Sequence, residues 1–389
     1  MRRVFYGLLF VIAGLSASTG GQGRQVFPAS GSLPFSAAVK ADGLIYVAGT
    51  LAQEGDIKAQ TKRVLDDINE TLQKAGSSMA NVASVHVYLK NANDFAAMNE
   101  VYRTNWPKDP PVRTTIAADL VRPTALVEMS MVAIPNGGER VVIHPSDWMK
   151  SPNPYSYGIK SGDTLFLAGL VSRNGKDNSV VEGDMTAQTK TVLDNAAQIL
   201  KSAGMSFTNV VSSRVYITDQ SKFQDMNKVY QTYFPKDPPA RATVIAPLMG
   251  AQYQVEISLL ADRRPKQVFT TPAADGTPGK PSPLLSSAVK VGNRLYVSGI
   301  LGNTAENKGN IEEQTKELLA RVGRTLKVAG FDSSNVVDGI VYITDLANFD
   351  AMNKGYTSVF ARDYPARATV RTGLVNADGL VEIMFVAAR

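Results

Sequence analysis

Apolar residues recur at helical spacing in three stretches of the chain. In each stretch they occupy positions i, i+1, i+4 and i+8, which lie on one face of an amphipathic helix. A glycine that can adopt a positive φ follows each stretch and predicts the end of the helix. The stripes are Val64, Leu65, Ile68 and Leu72; Val192, Leu193, Ala196 and Leu200; and Leu318, Leu319, Val322 and Leu326, followed by Gly76, Gly204 and Gly330.

The segments around the first helix predict strands and a second helix. Asp42-Gly43 separates two apolar runs and supplies the turn residues that a hairpin favours. The second helix ends by Trp106 because prolines follow it. The predicted elements are strands at 37–40, 44–48, 82–89, 114–118 and 125–134 and a second helix from about Asn93. Each copy therefore has the predicted order ββαβαββ.

The chain repeats itself with offsets of 128 and 126 residues. Gln60-Thr61-Lys62 recurs at 188–190 and 314–316, and many other residues keep the same offsets. Gly49, Gly169 and Gly299 do not, so the segment between this glycine and Gln-Thr-Lys is predicted to be a variable surface loop. The sequence thus predicts three domains of about 120 residues, at 26–135, 143–262 and 267–389.

Both helices of each copy are predicted to cover one sheet face, which leaves the other face to be buried. The sister copies are the expected partners, and three of them can close a ring around a pseudo-threefold axis. Residues 135–153 and 262–283, rich in Pro, Gly and charge, are the predicted tethers. The alternative is three independent domains that are joined by linkers and do not pack against one another.

The first 22 residues differ from the rest of the chain. Arg2 and Arg3 precede an almost unbroken apolar run from Val4 to Ala17, and small polar residues follow. A charged, an apolar and a small-residue region follow one another in this order in a cleavable export signal. The apolar run is also short for a membrane span. We therefore expect an exported protein, periplasmic or secreted, that leaves the membrane once residues 1–22 are removed. An uncleaved anchor is the alternative.

The amino-acid composition excludes several kinds of functional site. The chain has no cysteine, which excludes disulfides, a thiolate nucleophile and cysteine metal sites. Its formal charge is +6, of which the predicted signal contributes two charges. This small charge is spread along the sequence, so we expect no nucleic-acid partner.

An ordered set of motifs in these copies resembles the Rid (YjgF) family of reactive-intermediate deaminases. Each motif alone is weak, but their shared order covers nearly the whole chain after the signal. The motifs are Pro154-Tyr155-Ser156, Ser298-Gly299, Gln-Thr at a helix start, Asp-x-x-x-Met-Asn-x-x-Tyr from Asp94 to Tyr102, Pro-Ala-Arg-Ala-Thr at 239–243 and 365–369, and Val-Glu-Ile at 255–257 and 381–383.

The resemblance implies an α+β, chorismate-mutase-like fold that is normally a homotrimer with a ligand cleft at each subunit interface. Here one chain would supply all three subunits and act as a monomeric pseudo-trimer. The implied activity is hydrolysis of 2-imino and 2-enamino acids to 2-keto acids and ammonia, so the expected partner is a small imino or keto acid. The resemblance implies neither a cofactor nor a metal.

The resemblance also implies the residues of the site. The arginine after Pro-Ala would hold the substrate carboxylate, the glutamate of the last strand would handle water, and the asparagine of Met-Asn would help to shape the cleft. Carried onto this sequence, they are Arg113, Arg241 and Arg367; Glu128, Glu256 and Glu382; and Asn99, Asn227 and Asn353. The glycines at the end of the second strand, Gly49, Gly169 and Gly299, are expected to border the same clefts.

Elementary chemistry agrees with these roles. A planar guanidinium matches a carboxylate with paired donors, and one positioned carboxyl group can assist attack of water on an electrophilic imine. Neither His86 nor His144 recurs in the other copies. A salt bridge that merely joins the repeats is the alternative role for each Arg and Glu.

The copies depart from the family pattern in different ways. The cysteine that family members often carry two residues after the arginine is replaced by Thr115, Thr243 and Thr369. The aromatic residue near the cleft mouth is Phe35 in the first copy and Tyr155 in the second, but Leu285 in the third. The serine of the second strand survives only as Ser298. We therefore predict three unequal clefts.

Three functions follow as hypotheses. The first is a deaminase of reactive imines. The second is a non-catalytic protein that binds small carboxylic acids, or a holdase. The third is a ribonuclease, a name given to some members of the family, although the chain lacks paired histidines and a dense basic stripe with interleaved aromatics.

Overall fold

The computed structural model of the protein describes residues 23–389. The predicted export signal, residues 1–22, lies outside the described residues. Within residues 23–389, none of the helices combines the length and the apolar character that a membrane crossing requires.

The described chain forms three repeats of one α+β unit. The first contains β1 Gln25–Pro28, β2 Ser36–Ala41, β3 Leu44–Leu51, α1 Ile57–Lys74, β4 Val82–Leu89, α2 Phe95–Asn105, β5 Val112–Ala117, β6 Asp119–Leu120 and β7 Val127–Ala133. The second contains β8 Val141–Ile143, β9 Gly158–Ser161, β10 Thr164–Leu167, α3 Met185–Ser202, β11 Val210–Ile217, α4 Phe223–Tyr233, β12 Ala240–Ile245 and β13 Val255–Asp262. The third contains β14 Lys266–Phe269, β15 Ala288–Val291, β16 Arg294–Leu301, α5 Ile311–Val328, β17 Val336–Ile343, α6 Phe349–Thr357, β18 Ala366–Arg371, β19 Gly373–Leu374 and β20 Val381–Ala388.

The α+β fold class is confirmed, but the predicted element order is incomplete. Each repeat begins with a further short strand, β1, β8 or β14, that pairs antiparallel with the first strand of the hairpin. Two of these strands lie inside the segments predicted to be tethers, 135–153 and 262–283, so that prediction was wrong for 141–143 and 266–269. Three or four residues of mixed polarity at a sheet edge leave too short a pattern to detect.

Each repeat has the same sheet. In the first repeat the strand order is β1-β2-β3-β7-β4-β5, and the other two repeats follow it. All pairs are antiparallel except the pair joined through the second helix, such as β4 with β5. Parallel strands need such a crossover connection. The strand that carries the repeated arginine therefore lies at the edge of its own sheet.

The Gln-Thr motif has a structural role. Gln60 is buried on α1, its amide nitrogen donates to the carbonyl oxygen of Thr124 at 3.0 Å, and its amide oxygen accepts from the backbone of Leu126 at 2.8 Å. Gln188 and Gln314 make the equivalent pair of bonds. Since a buried amide needs partners, this residue fixes the segment that leads into the last strand of each repeat.

The two faces of each sheet have different partners. On β4, Val87 and Leu89 face the core under the helices, whereas Tyr88 joins a cluster formed by all three repeats. Tyr216 and Tyr342 occupy the equivalent positions, and their hydroxyl oxygens lie 3.2 Å apart. The sheet face that the helices leave uncovered is therefore buried around a central axis, as the sequence predicted.

Backbone bonds close the ring in one direction. The segment after the arginine strand of each repeat reaches back to the arginine strand of another repeat: β6 pairs with β18, β19 pairs with β12, and Leu248 bridges to Ile116. The three contacts are of one kind and involve each repeat twice. A heterologous contact that closes in this way makes a ring, so the chain is an intrachain pseudo-trimer.

Candidate functional site

Three clefts lie where the arginine strand of one repeat meets the hairpin of the next. The first cleft joins Arg113 to Glu256, the second joins Arg241 to Glu382, and the third joins Arg367 to Glu128. Every one of these side chains is at least 95% buried. The arginine and glutamate of a single repeat thus belong to different clefts, which the sequence alone did not assign.

Backbone bonds between repeats fix the position of each cleft. In the first cleft the amide of Gly169 donates to the carbonyl of Arg113 at 3.0 Å, and the amide of Ser156 donates to Pro111. Ser36 and Ser286 make the equivalent amide bonds to Pro365 and Pro239. The serine of the Pro-Tyr-Ser motif therefore joins repeats and does not face the cavity as a reactive group.

The glycine that ends the second strand of each hairpin makes room for the glutamate. A Cβ on Gly49 would lie 1.9 Å from Oε1 of Glu128. The corresponding distances are 2.0 Å from Gly169 to Glu256 and from Gly299 to Glu382. Such separations are far below van der Waals contact, so any larger residue would displace the carboxyl group. The glutamate can therefore occupy its position in each of the three clefts only because the neighbouring residue is glycine.

Burial sets the protonation state of the glutamates. It raises the pKa of Glu128, Glu256 and Glu382 to about 8, although each carboxyl is close to an arginine that opposes the shift. The backbone amide of Thr115 also donates to Oε1 of Glu256, at 3.3 Å. At neutral pH each cleft therefore holds mainly a protonated carboxyl group that can both give and take a proton.

Each arginine packs against aromatic rings of its own repeat. The guanidinium carbon of Arg113 lies 4.8 Å from the ring centre of Tyr102 and 5.4 Å from that of Phe95. Arg241 and Arg367 stack on equivalent tyrosines at 4.7 Å. Burial lowers the pKa of all three arginines, and the stacking stabilises their charge. The stacked tyrosines are Tyr102, Tyr230 and Tyr356.

Sequence reasoning did not assign these rings to the site. Tyr102 entered only as the last residue of the Asp-x-x-x-Met-Asn-x-x-Tyr motif, and no prediction concerned Phe95. Phe95, Phe223 and Phe349 keep the offsets of 128 and 126, so the repeat itself carried the signal that could have found them. Phe95 and Phe349 line the first and third cavities, and Phe223 lies 5.9 Å from the guanidinium of Arg241.

The asparagines differ between clefts. Asn99 accepts a 2.7 Å hydrogen bond from Nη1 of Arg113. By contrast, the side-chain oxygens of Asn227 and Asn353 are buried without a hydrogen-bond partner among the described residues. Nε and Nη1 of Arg241 and Nη1 of Arg367 are also buried and without such a partner. The second and third clefts therefore hold guanidinium donors that a carboxylate ligand would satisfy.

The predicted threonines and Ser298 have distinct places. Thr115 and Thr369 line the first and third cavities, and the hydroxyl of Thr243 is buried without a partner among residues 23–389. Ser298 accepts from the amide of Arg241 at 2.8 Å and donates to the carbonyl of Ser286 at 2.6 Å. Ser298 therefore stabilises the backbone of the second cleft.

The cavities are unequal. The first has a volume of about 70 Å³ and is lined by Tyr155, Arg173 and Tyr253 beside the Arg and Glu. The third has a volume of about 430 Å³, and Phe35 replaces the tyrosine in its wall. Leu285, at the equivalent position of the third repeat, is only half-buried.

Both histidines lie away from the clefts. Nε2 of His86 accepts a 2.8 Å bond from Arg214 near the central axis, and burial lowers the pKa of His86 well below its usual value. Nε2 of His144 lies 2.9 Å from the carbonyl oxygen of Trp148. Neither histidine is placed to act on a ligand beside the arginines.

Comparison with known proteins places the chain in a family. The sequence model of the family described as endoribonuclease L-PSP matches residues 28–135, 146–263 and 280–389. A RutC family protein of Sulfurisphaera tokodaii is 38% identical over 114 residues, 29% of this chain and 91% of that protein. A RutC family protein of Pyrococcus horikoshii is 38% identical over 120 residues, 31% of this chain and 95% of that protein. Each relative thus corresponds to one repeat.

A solved structure extends the likeness of fold to most of the chain. The crystal structure of a chorismatase matches 79% of this chain and 93% of its own length, with a TM-score of 0.53 and 15% sequence identity. At that identity the likeness concerns the fold alone. The three matched segments and the RutC relatives confirm the resemblance found in the sequence. The chain belongs to the endoribonuclease L-PSP family, the Rid or YjgF family, and carries three tandem copies of its domain.

Proposed function

We propose that the protein hydrolyses 2-imino and 2-enamino acids to 2-keto acids and ammonia at the clefts between its repeats. One observation supports this proposal above the others. Each cleft combines a buried arginine with a glutamate whose pKa burial raises to about 8, and the two come from different repeats.

The arginine is suited to the substrate carboxylate. Its guanidinium is buried against a tyrosine ring, and in the second and third clefts some of its donors have no partner among the described residues. A buried donor without a partner costs about 1–3 kcal/mol, so a carboxylate that accepts from it is bound favourably. Charge-assisted, paired bonds would also fix the orientation of the substrate.

The glutamate is suited to both proton transfers of imine hydrolysis. Its protonated form gives a proton to the imine nitrogen, and the resulting carboxylate accepts a proton from the water that attacks the carbon. The carbinolamine then receives that proton on nitrogen, the C–N bond breaks, and ammonia leaves. The carboxylate finally takes the hydroxyl proton, which yields the keto acid and restores the starting carboxyl group.

A carboxylate-binding protein without catalysis would use the same arginines. The glutamate favours the enzyme, because simple binding of an anion gains nothing from a second, buried carboxyl group at the same cavity. The position of both histidines away from the clefts favours imine hydrolysis over the nuclease activity in the family name.

The test is hydrolysis of 2-iminopropionate, generated in the assay from alanine by an amino-acid oxidase. The full chain should accelerate release of pyruvate, and simultaneous Arg113→Ala, Arg241→Ala and Arg367→Ala should abolish the acceleration. The matched control changes Lys62, Lys190 and Lys316 to alanine, three repeat-equivalent cations on the outer helices. Binding of pyruvate without acceleration would favour the carboxylate-binding function, and an unchanged rate in the arginine variant would refute the proposal.

We also propose that a single chain is the working unit, since every interface that forms a cleft lies within it. Light scattering at assay concentrations should give the mass of one chain. Activity found only in a larger assembly would contradict this.

A further inference from the structure

The third cleft extends well beyond its arginine and glutamate. Its cavity of about 430 Å³ reaches from Arg367 and Glu128 to Arg63 and Arg122, whereas the cavity of the first cleft measures about 70 Å³. Pockets for small organic ligands usually span about 300–1,000 Å³. The third cleft therefore has room for a side chain longer than a methyl group.

Arg122 is a cation at the mouth of this cavity. It lies between β6 and β7, is exposed, and makes no ion pair with another described residue. The equivalent residues of the other repeats are Gly250 and Asn376. Neither carries a charge, so only the third cleft has a cation at this position.

Arg63 is a second cation on the same wall. It lies on α1, and its Nε donates to Oδ2 of Asp67 at 3.0 Å. Asp67 also lines the cavity, so its carboxylate neutralises the charge of Arg63 and leaves Arg122 as the unpaired cation of this wall among the described residues. The equivalent residues are Thr191 and Glu317. In the third repeat the pair is reversed, because Glu317 accepts from Nε of Arg321 at 2.8 Å.

The first cleft also contains a second arginine, Arg173, but other residues of the protein already occupy its guanidinium. Nη1 of Arg173 donates to the carbonyl of Asn178 at 2.9 Å, and the guanidinium stacks on Tyr253 at 5.6 Å. The cavity that Arg173 lines measures about 70 Å³ and has room for a small ligand only.

We propose that the third cleft binds 2-imino and 2-keto acids whose side chain ends in a second carboxylate. Arg367 takes the carboxylate beside the reacting carbon, and Arg122 takes the distal one. The catalytic part of this assignment rests on the proposed function, whereas the binding part does not.

The kinetic test compares two imines, 2-iminoglutarate and 2-iminopropionate, each generated by an amino-acid oxidase. Arg122→Gln should lower the ratio of kcat/KM for 2-iminoglutarate to that for 2-iminopropionate by about fivefold, the size expected of a partly exposed ion pair. The control Lys74→Gln removes an exposed cation at the far end of α1 and should leave the ratio unchanged. An unchanged ratio in Arg122→Gln would overturn the assignment.

A binding test separates this inference from the proposed function. Calorimetry on the full chain should show tighter binding of 2-oxoglutarate than of pyruvate, and Arg122→Gln should remove most of the difference. If neither imine is hydrolysed, the proposed function fails, yet this selectivity would still support the ligand class. Equal affinity for the two keto acids would reject it even in an active enzyme.

Discussion

The first and third clefts share their machinery and differ in what surrounds it. In both, a glutamate lies over a glycine and faces an arginine that stacks on a tyrosine. In the first, Asn99 holds Arg113 and the cavity is small; in the third, Nη1 of Arg367 has no partner among the described residues and the cavity is large. The two clefts thus share the same arginine, glutamate, glycine and tyrosine but differ in the volume available to a ligand.

Fusion of the repeats makes this difference possible. In a homotrimer a change of residue appears in all three clefts, whereas here Arg122 and Arg173 each occur in one. The central axis shows the same freedom, because equivalent positions hold His86, Arg214 and Ile340, and Arg214 lies 4.0 Å from Asp338. Three identical arginines at that place would repel one another. Loss of exact symmetry therefore permits both complementary charges at the axis and unequal clefts.

The largest effect is expected from a methyl group placed on the glycine. Two parent proteins, each with one intact cleft, allow the clefts to be compared separately. Arg241→Ala with Arg367→Ala leaves only the first cleft intact, and Arg113→Ala with Arg241→Ala leaves only the third. Gly169→Ala in the former and Gly49→Ala in the latter should each lower kcat by about 100-fold or more, because the Cβ displaces the glutamate. Circular dichroism checks the fold. Retained activity in either protein would show that its glutamate is dispensable.

A smaller effect is expected from pH. Burial raises the pKa of the glutamates to about 8, so the protonated form needed for the first proton transfer predominates below pH 8 and is lost above it. Initial rates should show kcat/KM falling about tenfold per pH unit above 8 in both one-cleft proteins. A decline that begins near pH 5 in one of them would show that the two carboxyl groups are not equivalent.

The smallest effect should distinguish the two asparagines. Asn99→Ala removes a charge-assisted bond to Arg113 and should lower kcat/KM of the first cleft by about tenfold. Asn353→Ala should change the third cleft by only about twofold, because the oxygen of Asn353 has no partner among the described residues. Equal losses in steady-state kinetics would mean that both asparagines bind the substrate directly.

The sequence predicted the fold class, and the family resemblance implied the arginines, glutamates and asparagines that lie in the clefts. The offsets of 128 and 126 showed that each of them recurs in every copy, but the stacked tyrosines and phenylalanines were missed. The sequence could not pair Arg367 with Glu128, since that pairing depends on how three sheets close around an axis. It missed β8 and β14 because strands of three and four residues carry little pattern. The repeat and the resemblance together thus name candidate site residues, but neither shows which repeats combine to form a cleft.

The central claim is that each cleft takes its arginine and its glutamate from different repeats. Arg367→Ala combined with Glu128→Gln changes one cleft by this account, whereas Arg367→Ala combined with Glu382→Gln, both within the third repeat, changes two. With saturating 2-iminopropionate, the first double variant should be as active as Arg367→Ala alone, and the second should lose the contribution of a further cleft. The opposite order, with the within-repeat pair behaving as a single change, would contradict the account.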